Sequence, residues 1–111
     1  MVTADEVKAK LAKYVINRKS HPHIPPTLDG EILLEEHRDE KGRLRGVITV
    51  SAENLANILS MRDDPTLRPD EIIESGPYEG KNVRDLTASE FEDFTSHKKY
   101  LDAWRAEGID I

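Results

Sequence analysis

The chain opens a helix three times in the same way, as Val2-Thr3-Ala4-Asp5-Glu6-Val7, Val50-Ser51-Ala52-Glu53-Asn54-Leu55 and Leu86-Thr87-Ala88-Ser89-Glu90-Phe91. In each opener a Thr or Ser can accept from the amide three residues on, and a Glu or Asn stands at that third position. Apolar residues flank the cap at the spacing of a hydrophobic staple. Three helix starts are thereby set before any tertiary contact is considered. The sequences between the openers are unlike, so these are recurring caps and not a repeat architecture. Folding accounts for every residue of the openers, and none is left over for chemistry.

The first helix is expected over 4–17, because Val7, Leu11, Tyr14 and Val15 recur at helical spacing while Lys8, Lys10 and Lys13 lie elsewhere on the wheel. Ser20-His21-Pro22-His23-Ile24-Pro25-Pro26-Thr27 then removes amide donors and forces extended conformations before each proline. Ile32, Leu33 and Leu34, then Leu44 and Val47 to Val50, read as two strands joined across Asp39-Glu40-Lys41-Gly42. The second helix carries Leu55, Ile58 and Leu59 and stops at Asp63-Asp64-Pro65. A short helix is expected over 70–75 behind Pro69, ended by Gly76, followed by a loop over 76–80. The last helix is expected to be the longest, over 88–107. Phe91, Phe94, Leu101 and Trp104 would line one of its faces, and Gly108 suits a left-handed C-terminal cap.

This order predicts an α+β fold in one small domain over 1–111. An antiparallel β-hairpin, with room for a third strand in 24–28 or 78–83, packs against three or four helices. At 111 residues, 37% of them apolar and 34% charged, the core is modest. Two strands alone are marginal in water, so either a third strand or pairing with a second copy is expected, and a homo-oligomer answers both deficits.

Charge and composition narrow the function classes. The absence of cysteine excludes disulfides and thiolate metal sites, and cytoplasm is the expected compartment. No apolar run approaches the roughly 20 residues of a membrane span, and no leader pattern is read at the start, so no membrane role is expected. Residues 1–50 hold 9 basic and 8 acidic side chains, whereas residues 51–111 hold 7 and 14. An acidic chain disfavours non-specific nucleic-acid binding.

Four constellations were weighed as sites. His21-Pro22-His23, with His37 within reach, has the right residue types for a divalent metal, but the spacing matches no metal motif and the prolines forbid the helix such motifs need. Lys8, Lys13, Arg18 and Lys19 form a basic first segment able to face phosphate, though few aromatics are interleaved. Gly76 to Asn82 ends in Gly-Lys, yet its glycines are too close together and Asn82 replaces the magnesium-binding hydroxyl. Acidic pairs at Glu35-Glu36, Asp63-Asp64, Asp70-Glu71 and Glu92-Asp93 are too numerous to single out an acid or base, and Ser51, Ser89 and Ser96 sit in no nucleophile elbow. Neither catalysis nor a cofactor is indicated.

The sequence therefore reads as a small acidic protein-interaction, assembly or regulatory accessory module. Its partner would carry a basic surface, and the contacts would come from Trp104 and Tyr100 on the last helix, the loop aromatic Tyr78, and Glu92 and Asp93. A phosphate or nucleic-acid binder using Lys8, Lys13, Arg18 and Lys19 is the alternative. A small metal-dependent enzyme using His21 and His23, with His37, is the third class.

Overall fold

The structure, a computed structural model, describes residues 1–111. All three expected caps form: Thr3 Oγ1 accepts from the Glu6 amide at 3.2 Å, Ser51 Oγ from Asn54 at 3.1 Å and Thr87 Oγ1 from Glu90 at 3.2 Å. At Thr87 the box is reciprocal, with the Glu90 carboxylate accepting from the Thr87 amide at 3.0 Å. The helices that follow are α1 (Ala4–Lys10), α2 (Ala52–Asp63) and α3 (Ala88–Phe94), and a fourth, α4, covers Lys98–Ala106. The fold is α+β, with a two-stranded antiparallel sheet of β1 (Ile32–Arg38) and β2 (Leu44–Val50).

Packing divides the chain into two compact units, one of Thr3–Ala56 and one of Met1–Val2 with Asn57–Ile111, the division falling inside α2. In the first unit α1 stops at Lys10, well short of residue 17. A 3-10 turn over Ala12–Tyr14 follows, and Val15 is extended and bridges Ile32. The cause is non-local: the Ile16 amide donates to the Glu31 carbonyl at 2.9 Å and the Gly30 amide to Ile16 at 2.8 Å. Val15 and Ile16, β-branched and poor helix formers, serve this pairing better than another helical turn. Asn17 then shapes the loop, its Oδ1 accepting from the Lys19 and Ser20 amides. Val7, Leu11, Ile16, Ile24, Ile32 and Leu55 are buried in this unit.

The hairpin register runs from Ile32 opposite Val50 to Arg38 opposite Leu44. Two irregularities interrupt it, one placing Leu34 as an extra residue in β1 and one placing Arg45 as an extra residue in β2. No third strand joins the sheet. Residues 24–28 include a 3-10 turn over Pro26–Leu28, and 78–83 contribute only a single bridge, Asn82 to Ile72.

The second unit has its own core, where Ile73, Val83, Leu86 and Phe91 are buried and Ile58, Met61 and Tyr78 pack against them. Residues 70–75 form no helix, and Ile72 bridges Asn82. The Ile73 amide donates to Lys81, the Val83 amide to Glu71, and the Asn82 side chain to Asp70. The expected long terminal helix is two helices. Ser96 takes a left-handed φ of 65°, the Ser96 amide donates to Asp93 and the His97 amide to Glu92, which is a Schellman ending built on a serine. Thr95 reinforces the stop by donating to the Phe91 and Glu92 carbonyls. Gly108, φ 92°, ends α4 as expected, with its own amide bonded to Arg105 and the Ile109 amide to Trp104.

Candidate partner-binding surface

Two arginine-centred arrangements tie together the elements of the second unit. Arg68 is only 2% exposed and has no carboxylate partner. Its guanidinium donates to the carbonyls of Met61, Arg62, Val83 and Leu86 and lies 4.4 Å over the Phe91 ring. It thus satisfies the orphan carbonyls at the end of α2 and ties that end to the segment that leads into α3. Burial lowers its pKa, yet an arginine stays charged.

The second arrangement centres on Glu92, 4% exposed, whose carboxylate takes Arg105 at 3.0 Å and Arg62 at 3.1 Å. Both arginines also donate to the Ile111 carbonyl, at 3.1 and 3.0 Å. The Arg105 hydrogen bond, more than that from Arg62, holds the Glu92 carboxyl below the usual carboxylate range, against the opposing pull of burial. A carboxylate so enclosed is committed to folding. Glu92, named from the sequence as a partner contact, is thus enclosed by Arg62 and Arg105.

Trp104 is 4% exposed and so part of the interior. Tyr100 is half-buried on α4. Tyr78 and Asp93 are brought together: the phenol donates to the Asp93 carboxylate at 2.6 Å, and that bond pushes the phenol pKa up to about 12. The pair stays at the surface, with Asp93 exposed and Tyr78 half-buried.

The sequence reading missed the groove beside α3. Ile72 is 56% exposed and Phe94, expected in the core, is 40% exposed. Together with Ile73, Val83 and Ser75 they line a groove of about 250 Å³ whose acidic residues are Glu71 and Glu74. A continuous helix would have set Phe91, Phe94 and Leu101 on one stripe, whereas the Ser96 turn ends that phase and leaves Phe91 and Leu101 inside. Ile72 carried a readable signal, since adjacent apolar residues in an extended segment point to opposite faces and burial of Ile73 exposes its neighbour.

Arg18 is bound by Asp29 at 2.7 Å, and Lys13 lies over Tyr14. A denser basic group lies at the hairpin turn, where Arg43 and Arg45 both pair with Asp39 and Arg38 pairs with Glu36, so their charge is largely answered within the hairpin. The histidines are held separately, His23 by Glu36 at 2.6 Å and His37 by Glu35 at 3.2 Å, while buried His21 leaves Nδ1 unpartnered. No three His, Asp or Glu side chains come together as a metal site, and no helix is long and apolar enough to cross a membrane. Comparison of the chain with protein families, curated proteins and solved structures returns no match.

Proposed function

We propose that this chain is an acidic protein-interaction module, an assembly or regulatory accessory without chemistry of its own. The observation that carries this reading is the groove of Ile72 and Phe94 beside Glu71 and Glu74. Large apolar side chains left in water next to one sign of charge are the composition of an anchor pocket with a polar rim. The partner is a protein presenting an aliphatic or aromatic side chain flanked by Lys or Arg. The apolar group fills the groove and the cations meet Glu71 and Glu74, within a half of the chain that holds 14 acidic and 7 basic residues.

The test is to place a photo-crosslinking residue at Phe94 and, as a control, at the exposed Lys10 of the other unit, and to irradiate in cells that produce the chain. The reading expects a discrete adduct at Phe94 and not at Lys10, lost on Glu71→Lys with Glu74→Lys and mapped to a basic, apolar segment. Equal labelling at both positions, or adducts indifferent to the charge reversal, contradicts it.

A further inference from the structure

The hairpin has two outer edges, and they differ in a way that selects an occupant. The edge of β1 is partly taken, since Val15 bridges Ile32, and the rest of that strand is Leu33, Leu34, Glu35, Glu36, His37 and Arg38. Charged side chains on an edge strand disfavour pairing with another chain, and four of the remaining six residues of β1 are charged or histidine. The edge of β2 carries no such protection. No other segment donates to or accepts from its backbone beyond β1, and beyond the extra residue at Arg45 the strand reads Gly46-Val47-Ile48-Thr49-Val50. That run is uncharged, free of proline and rich in β-branched residues, and Ile48 is 40% exposed. Arg45, just outside it, is held 3.2 Å from Asp39 of its own hairpin.

We infer that β2 is the pairing edge for a second copy of this chain, the two β2 strands running antiparallel about a twofold axis inside residues 46–50 to form one four-stranded sheet. A second copy is the occupant for three reasons. An antiparallel strand pairs with itself about a twofold in a closed, self-complementary way. A neutral run offers a charged foreign strand no attraction, and its self-pairing opposes no like charges, because the two Arg45 side chains fall at opposite ends. The four-stranded product also meets the need for more than two strands that an isolated hairpin leaves open. This inference concerns the Thr3–Ala56 unit and stands apart from the groove of the other unit.

The chain lacks cysteine, which makes the register readable. Sedimentation of the full chain at micromolar to hundreds of micromolar concentration should show conversion from 12.6 kDa to twice that mass. Single Cys variants at Gly46, Val47, Ile48, Thr49 and Val50, oxidised under mild conditions, should cross-link most at one position and fall away on both sides. Ile48→Lys, at an exposed position, should weaken the dimer at least tenfold while circular dichroism stays that of the parent. Amide exchange on the unsubstituted chain provides a check free of any folding defect, because β2 amides should slow as concentration rises. A chain that stays monomeric throughout overturns the inference. So does a dimer whose β2 amides and Ile48→Lys variant behave as the monomer does, or whose cross-linking shows no peak along β2.

Discussion

Glu92→Gln removes one charge from the arrangement that joins α2, α3 and α4 and keeps the shape of the side chain. Taking away one partner of a buried ion pair costs about 3–5 kcal/mol, because the opposite charge stays buried without compensation. Here the loss is smaller. Arg62 keeps Asp63 at 2.7 Å, and Arg105 keeps Asp102 at 3.4 Å and is 36% exposed, so water screens part of its charge. The expected cost is about 2–3 kcal/mol, well above the roughly 0–1 kcal/mol of a surface pair. At 111 residues the unfolding entropy makes each kcal/mol worth about 4 °C, so the melting midpoint should fall by about 8–12 °C. Trp104, the one tryptophan and a buried one, reports the transition by fluorescence in urea. The pH dependence separates charge from packing. The folded carboxyl titrates below its unfolded value, so its contribution is present above about pH 4–5 and is lost as pH falls through the depressed folded pKa. Glu92→Gln should therefore flatten the acid limb of the parent's stability profile. A cost below 0.5 kcal/mol at pH 7, or an acid limb parallel to the parent's, refutes the reasoning.

Arg68→Met should cost about 3–5 kcal/mol, since four carbonyls lose a charged donor, and Arg68→Lys should recover little because an ammonium cannot span the guanidinium's fork; urea titrations in which Lys restores full stability would contradict this. Thr87→Ala should cost about 1 kcal/mol through loss of the capping box, measured in the same way. Ser96→Gly should raise stability by about 1 kcal/mol by relieving the left-handed φ of 65°, and a loss on that change would show that the serine side chain matters more than its backbone.

The parts of this fold that were legible before the structure are those set by neighbours in sequence. Thr3, Ser51 and Thr87 cap because the donor each satisfies lies three residues on, and Gly108 ends α4 because a residue without Cβ turns left at no cost. Where the reading failed, a distant segment decided. Helix α1 yields at Lys10 because residues 15 and 16 are wanted by 30–32. Pro69, Asp70 and Glu71 look like a helix start, but the backbone there is claimed by 80–83. Ser96 carries no glycine-like signal, so its turn reads as continuous helix; Phe94, expected in the core, is 40% exposed, and Trp104, named as a partner contact, is 4% exposed. The burial of Arg68 and Glu92 was not legible for a related reason: a charged residue outside a motif reads as surface, and only tertiary contacts reveal it as buried. The candidate groove was hidden by the same phase error, although the Ile72-Ile73 pair announced that one of two isoleucines would face water.

Ile72 and Phe94 are proposed as the anchor pocket for a basic, apolar protein segment. The most direct measurement is salt-dependent binding of the partner segment recovered from the Phe94 adduct, titrated against the parent chain and against Phe94→Ala and Glu71→Lys with Glu74→Lys. Phe94→Ala should weaken binding by at least 2 kcal/mol, about thirtyfold, at every salt concentration, while the charge reversal should weaken it most at low salt and reverse the sign of the salt dependence. Binding that neither change disturbs would contradict the account and move the interface elsewhere on the chain.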